Sequence, residues 1–152
     1  MIGLAAEMTF WAKSGEAIEP THGSPYGAIQ YLGVADATLT GKRIDARLIA
    51  AGYDWMRIGD DGYWRPEVQA QFRTVDGAIV LMRYAGLVEY NASLLSLASA
   101  DHLSDCSAHY MRMVFSFITG ADRYRWLNTS LFVGAAVRVG AGQVEYEIHR
   151  VT

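Results

Sequence analysis

Two segments of the chain, Arg43–Ile49 and Glu67–Val75, carry an apolar residue at every second position. Alternate side chains of a β-strand point to opposite faces, so each segment is predicted to be a strand with one buried face. Asp76-Gly77 follows the second segment, and this dipeptide is a strong signal for a tight hairpin turn. The sequence therefore predicts antiparallel sheet and limits the choice of fold to β-rich architectures.

Other segments of strand character follow at short intervals. They are Glu7–Lys13, Tyr26–Thr40 as two strands or one bent at Gly33, the segment after Gly77, Tyr110–Ile118, Leu127–Val137 and Val144–Val151. Roughly nine or ten strands, with a turn signal about every ten residues, indicate an antiparallel barrel or sandwich. We favour a lipocalin-like barrel, because closure removes exposed strand edges and leaves room for one small ligand. The 152 residues are the size of one domain, spanning 1–152.

Asn91–Ala100 lacks this alternation and carries leucines at 94, 95 and 97. The spacing predicts one short amphipathic helix, with Asn91 or Ser93 as its N-cap. A short helix between two barrel strands is expected to cover one end of the barrel. Asp122–Asn128 is predicted to form a corner or helical turn in which the Asn128 amide ties two strands together, or else Trp126 and Asn128 line the pocket.

Composition restricts the partners of the protein. The formal net charge is -3 and no basic block is present, so nucleic-acid binding is disfavoured. No apolar run approaches the roughly 20 residues of a membrane helix, and the first residues do not resemble a signal peptide. We therefore expect a cytoplasmic protein that binds neither nucleic acid nor membrane. Outward apolar residues, Leu81, Leu87 and Val133 among them, favour a homodimer.

Several motifs occur together and in a fixed order: GYDW at 52–55, Asp61-Gly62, TVDGAIVLMRYAG at 74–86, YMRMVFSFITG at 110–120 and DRYRWLNTSLFVG at 122–134. Together they resemble a widespread bacterial and fungal family of small single-domain proteins of the UPF type, whose function is unknown. The resemblance covers roughly Gly27 to Val151 and implies a lipocalin-like β-barrel. The family usually has Pro-Gly-Gly-Ala-Asp-Trp where this chain has Ala50-Ala51-Gly52-Tyr53-Asp54-Trp55, so the acid and the tryptophan match while the preceding residues imply a reshaped pocket.

Asp54 is the first candidate for catalysis. A carboxylate between Tyr53 and Trp55 is placed to sit among aromatic rings, where loss of solvent raises its pKa and makes it a usable general acid or base. The resemblance supports this role through the shared Asp-Trp pair. The alternative is a structural aspartate that accepts hydrogen bonds from backbone amides at the entrance of a strand.

Arg112 interrupts an apolar strand and would need a carboxylate partner, or an anionic or carbonyl-bearing ligand, inside a barrel. Tyr84 is a candidate to donate a proton or to hold an enolate oxygen, unless it is simply part of the core. Further side chains are predicted to bind substrate at the wall or mouth of the pocket: Trp55, Trp64, Tyr110, Trp126, Asn128 and His109.

No metal-binding spacing of His or Cys and no nucleotide-binding or serine-hydrolase motif is present, so we expect no metal and no cofactor. One hypothesis is a cofactor-independent lyase, hydratase, isomerase or cyclase, acting on a small apolar or aromatic oxygenated molecule. Asp54 would move a proton, and Arg112 or Tyr84 would stabilise negative charge on oxygen. The second hypothesis is a non-catalytic barrel that binds a small molecule.

Overall fold

The strands of the protein pair with antiparallel neighbours and close into a barrel. The computed structural model describes residues Met1–Thr152. Its eleven strands are β1 (Leu4–Ala17), β2 (Ala28–Gly41), β3 (Asp45–Leu48), β4 (Gly52–Ile58), β5 (Tyr63–Arg65), β6 (Glu67–Thr74), β7 (Ile79–Glu89), β8 (Ser104–Asp105), β9 (Met111–Ile118), β10 (Phe132–Gly140) and β11 (Gln143–Val151). One α-helix, α1 (Ala92–Ala98), and one 3-10 helix (Asp122–Leu127) complete the chain.

The ring runs β1-β2-β3-β6-β7-β9-β10-β11 and returns to β1. The first and last strands close it, with Leu4 opposite Val151 and Lys13 opposite Gln143. The predicted antiparallel barrel with one short helix is therefore confirmed. β5 and β8 are not predicted from the sequence, because strands of three and two residues are too short to show alternation.

β3 and β4 share one position in the barrel wall, between β2 and β6. The second half of β2 pairs with β3, whereas its first half pairs with β4 from Ala28 to Val34. β2 is thus one long strand that changes partner between Val34 and Thr38. β1 is also longer than predicted: it continues past Lys13 through a register shift to Ala17, which pairs with Leu32.

Aromatic side chains fill part of the barrel interior. Phe10 from β1 and Phe115 from β9 are fully buried, and both pack against Tyr84 and Tyr146 at ring-centroid distances of 4.8–6.2 Å. Phe72 extends this cluster, 6.3 Å from Phe10. Each of these residues lies on the inward face that strand alternation assigns to it. Tyr84 and Tyr146 also face the empty part of the interior, so they form the boundary between the solid core and the cavity.

The corner around the 3-10 helix is held by Asp76 of the β6–β7 hairpin. Its carboxylate accepts hydrogen bonds from Thr74 Oγ1 at 2.5 Å, Tyr124 Oη at 2.7 Å and Arg123 Nη1 at 3.0 Å. Gly77 follows with a φ of +92°, a conformation that glycine adopts without strain. The predicted turn at Asp76-Gly77 and the predicted helical corner are both present, although the strand expected from Leu127 begins only at Phe132.

α1 begins where the sequence indicates, because Asn91 Oδ1 accepts a hydrogen bond from Leu94 N at 2.9 Å. Leu94 is buried on the face of α1 that looks into the barrel. We expect Asn91→Ala to lower the free energy of unfolding by about 1 kcal/mol, since the helix loses its cap. Ser93→Ala is the matched control, because Ser93 is exposed within the first turn and caps nothing. Denaturant unfolding of both variants tests this, and an equal loss in the two would contradict it.

The outer face of β7 and β9 carries apolar side chains. Leu81 is 40% exposed, and Val114 and Ile118 are each 60% exposed. Leu87 is also exposed, whereas Val133 is only partly so. The homodimer stays a prediction. No helix in the structure has the length and apolar character required to cross a membrane.

Candidate functional site

A cavity of about 300 Å³ lies inside the barrel, beside the aromatic core. Apolar side chains make up most of its lining, including Met56, Val68, Val88, Leu94, Met111 and Val139. Only two lining residues are charged, Lys13 and Asp54. Lys13 is exposed at the rim, so Asp54 is the one buried charged group of the cavity. A volume of this size suits a small organic molecule.

Strand alternation in β4 determines the position of Asp54. Gly52, Asp54 and Met56 face inward, and the intervening Trp55 faces outward. Asp54 is only 8% exposed, and its Oδ1 accepts a hydrogen bond from Glu67 N at 3.0 Å. That amide begins β6, directly after Pro66. No protein group donates a hydrogen bond to the second carboxylate oxygen, Oδ2.

The surroundings of Asp54 favour its protonated form. Burial is the largest effect on its pKa; the hydrogen bond from Glu67 N acts in the opposite direction, and the negative charge of Glu67 adds to the effect of burial. Together they raise the pKa of Asp54 from 3.8 to about 6. A carboxyl group with a pKa near the working pH can both accept and return a proton. Asp54 is thus buried, as the candidate role requires, and its role as acid or base stays a prediction.

Two phenols, Tyr84 of β7 and Tyr146 of β11, line the same cavity. They are 8% and 3% exposed, and their ring centroids are 5.8 Å apart. Neither hydroxyl has a hydrogen-bond partner in the protein. Every fully enclosed polar side-chain atom of the protein does have such a partner. Both hydroxyls must therefore reach the cavity surface. Burial raises the pKa of both phenols, and the negative charge of Asp54 raises each further, so both remain protonated donors.

Trp64 and Tyr90 form a flat aromatic wall. Their rings stack with centroids 3.7 Å apart and planes within 6° of parallel. Trp64 lies on β5, opposite Val88 of β7, and Tyr90 follows the end of β7. Both residues line the cavity. Their stacked pair suits contact with a flat or unsaturated ligand.

Three of the residues selected from the sequence lie on the outside of the barrel. Arg112 alternates with buried Met111 and Met113, so it points outward. Its guanidinium lies 5.2 Å from the centre of the Tyr110 ring and donates to Met111 O at 3.1 Å. Tyr110 is 46% exposed and Trp55 48% exposed. The prediction that Arg112 faces a ligand inside the barrel is wrong, because apolar Val114 and Ile118 share the outer face of β9 with Arg112 and hide the alternation in the sequence.

Three other selected residues have structural contacts away from the cavity. Trp126 packs 5.9 Å from the Phe132 ring and under the Arg43 guanidinium at 3.7 Å. Asn128 accepts from Thr119 N at 2.9 Å and donates to Thr119 O at 2.8 Å, as the strand-tying alternative requires. His109 lies in the turn before β9 and donates its backbone N–H to Cys106 O at 2.9 Å.

Of the residues predicted from the sequence, the structure thus places Asp54, Tyr84 and Trp64 together at the cavity. It adds Tyr146 and Tyr90, which are not among the residues predicted from the sequence. Alternation alone indicates that Tyr146 shares a face with Ile148. No group of three or more His, Cys, Asp or Glu side chains is arranged to hold a metal ion. The absence of a cofactor stays a prediction.

Comparison with known proteins gives a family without an assigned activity. A family model described as "Protein of unknown function (DUF3237)" matches residues 4–151. A UPF0311 protein of Bradyrhizobium diazoefficiens is 31% identical over 108 residues, covering 71% of this chain and 70% of the relative. A UPF0311 protein of Rhodopseudomonas palustris is 28% identical over 125 residues, covering 82% and 81% of the two chains.

Solved structures share the fold over their whole length. A conserved protein of unknown function from Rhodopseudomonas palustris superimposes with a TM-score of 0.88 at 25% identity, covering 100% of this chain and 99% of the other. A β-barrel-like protein from Acinetobacter baumannii has a TM-score of 0.82 at 23% identity, covering 100% and 97%. A structure described as an enzyme from Penicillium herquei has a TM-score of 0.70 at 17% identity, covering 99% and 95%.

Proposed function

Because the chain belongs to the DUF3237 family of proteins of unknown function, we propose its function from the geometry of the cavity. The protein is a cofactor-independent enzyme that moves a proton on a small, mostly apolar molecule bearing oxygen. Its reaction is of the lyase, hydratase, isomerase or cyclase type. The observation that carries this proposal is Asp54, a buried carboxylate with one oxygen left without a partner, in a cavity that is otherwise almost entirely apolar.

Asp54 acts as the base in the first step. At neutral pH a carboxyl with a pKa of about 6 is mostly ionised, and it is a stronger base than an ordinary aspartate. Oδ2 takes the proton, while Oδ1 stays bonded to Glu67 N and fixes the orientation of the carboxylate. Tyr84 donates a hydrogen bond to the substrate oxygen on which negative charge develops. Asp54 then returns the proton to another atom of the same molecule, so the proton shift itself needs no co-reactant, and a hydratase would in addition take up or release water.

The cavity supports a substrate of limited size and polarity. Its volume of about 300 Å³ and its apolar lining favour a compact molecule, and the Trp64–Tyr90 wall favours a flat one. The Penicillium herquei structure is described as an enzyme. That description supports catalysis in a barrel of this shape, and the likeness itself concerns the fold.

Proton transfer can be measured without knowing the product. We expect the protein to exchange carbon-bound hydrogen for deuterium in at least one member of a panel of small ketones, enones and phenols in D₂O, followed by NMR. Because the ionised form of Asp54 is the base, kcat/KM should rise about tenfold per pH unit below pH 6 and level off above it. A profile that stays flat from pH 4 to 8 would exclude Asp54 as the base.

The alternative of a binding barrel predicts a different result with the same panel. Ligands would bind, as seen by their effect on the melting temperature of the protein, and none would exchange hydrogen. Heat-denatured protein and buffer provide the background rates of exchange. Binding without exchange across the whole panel would replace the enzyme proposal by the non-catalytic one.

A further inference from the structure

We propose that Tyr84 and Tyr146 bind the same substrate oxygen, and that the substrate is therefore a neutral carbonyl compound that reacts through its enolate. This inference rests on the proposed function, because Asp54 must supply the base. It assigns a role to Tyr146, and it narrows a broad class of oxygenated molecules to ketones, aldehydes and enones.

The first argument is the packing of the two phenol rings. Their centroids are 5.8 Å apart, and Phe10 and Phe115 each contact both rings. This contact with the aromatic core holds both rings in place and leaves little freedom to either hydroxyl. Donors held in position before the reaction stabilise a developing negative charge without having to reorganise.

The second argument is the state of the hydroxyls. Tyr84 and Tyr146 are more than nine-tenths buried, and neither hydroxyl bonds to a protein group. Phenol hydroxyls in protein interiors usually have a hydrogen-bond partner, and because both of these reach the cavity surface, their acceptor must be a molecule inside the cavity, either water or a ligand that displaces it. A carbonyl oxygen has two lone pairs and can accept from both phenols at once.

The third argument concerns charge. Asp54 is the only buried charged group of the cavity, and it carries a negative charge when it acts as base. A carboxylate or phosphate ester would place a second negative charge beside it, which is costly in an apolar site. A neutral carbonyl compound keeps the net charge of the site constant, because the charge that leaves Asp54 reappears on the substrate oxygen.

The reaction step balances on these groups alone. The C–H bond next to the carbonyl breaks and its proton goes to Asp54 Oδ2. The electron pair of that bond forms a C=C bond, and the π pair of the C=O bond moves to oxygen, where Tyr84 and Tyr146 donate to it. Return of the proton from Asp54 to a different carbon of an enone gives an isomer. If the proton on Oδ2 is first replaced by a deuteron from the solvent, return to the same carbon gives hydrogen–deuterium exchange.

The probe for this site is 4-nitrophenolate, a stable oxyanion whose visible absorbance reports its ionisation. Asp54→Asn removes the competing charge, and we expect it to bind 4-nitrophenolate at least tenfold more tightly than the wild type does. Adding Tyr84→Phe or Tyr146→Phe to Asp54→Asn should each weaken binding by about 10- to 100-fold, the usual effect of removing one hydrogen bond to a charged oxygen. Adding Tyr53→Phe is the control, because Tyr53 lies on the outer face of β4.

4-Nitrotoluene serves as an internal test of folding, since it has a similar shape and lacks the oxygen. Its affinity should be unchanged in every variant that retains the cavity. If neither Phe replacement changes the affinity for 4-nitrophenolate, the two-phenol site is overturned, whatever the rate of hydrogen exchange. A different outcome is that Asp54→Asn loses exchange while neither Tyr→Phe replacement changes the affinity for 4-nitrophenolate. The proposed function would then stand, and the two-phenol site would not.

Discussion

Asp54→Asn is expected to slow proton exchange by about 10²- to 10⁴-fold, the usual contribution of a positioned base. Asparagine has nearly the same shape, and its carbonyl oxygen can still accept the hydrogen bond from Glu67 N. The variant therefore loses the base and keeps the cavity. The measurement is the initial rate of hydrogen–deuterium exchange at pH 7 for the best ketone or enone of the panel.

Asp61→Asn is the matched control for this rate. Asp61 is an exposed carboxylate that pairs with Arg65 at 2.6 Å, outside the cavity, so its loss should leave the exchange rate within about twofold of the wild type. If Asp54→Asn retains the wild-type rate, Asp54 has no part in proton transfer. If both variants lose activity equally, the effect is not specific to the buried carboxylate.

The same replacement is expected to stabilise the protein at neutral pH. The carboxyl of Asp54 has a pKa of about 6 in the folded protein, compared with its ordinary value of 3.8 in the unfolded chain. Well below pH 3.8 both states are protonated and the group costs nothing. As pH rises toward 6 the unfolded state ionises first, so the folded state loses stability, by about 3 kcal/mol once the pH is above 6.

Asparagine removes this cost, although its amide nitrogen also needs a partner in the cavity, so about 3 kcal/mol is the upper limit of the gain. Unfolding by urea at pH 8 and at pH 4 measures it: Asp54→Asn should be the more stable protein at pH 8 and close to wild type at pH 4. Lower stability than the wild type at pH 8 would identify Asp54 as a structural residue whose charge the fold requires.

Asp76→Asn should behave in the opposite way. Hydrogen bonds from Thr74 and Tyr124, followed by the charge of Arg123, lower the pKa of Asp76 to about 2. Its contribution to stability is therefore present above pH 3.8 and is lost as the pH falls toward 2. Asp76→Asn should be less stable than the wild type at neutral pH. If both replacements change the stability at neutral pH in the same direction, the assignment of opposite effects to the two aspartates is contradicted.

The barrel could be predicted because its strongest signals are local. The alternation in β6 and the Asp76-Gly77 turn depend on residues adjacent in sequence, and both are present in the structure. β5 and β8 could not be predicted, since their pairing is decided by neighbouring strands and not by their own residues. The shared position of β3 and β4 likewise depends on where β2 changes partner.

The site was only partly predictable, for a related reason. The aromatic neighbours of Asp54 suggested a buried carboxylate, yet Trp55 beside it faces solvent and the burial comes from residues on other strands. The apolar neighbours of Arg112 predict an inward position for it, although Val114 and Ile118 are exposed on the same outer face as Arg112. Tyr146 lies about ninety residues after Asp54, and only closure of the ring brings both to one cavity.

Closure by β1 and β11 also determines when the site forms during synthesis of the chain. Until β11 leaves the ribosome, β1 and β10 each keep one edge without a partner, and such edges promote aggregation. Pairing the first strand with the last gives the fold many contacts between residues distant in sequence, a feature associated with folding in milliseconds to seconds. Tyr146 lies on β11, so a chain in which β11 has not yet paired with β1 and β10 lacks one of the two phenols that line the cavity.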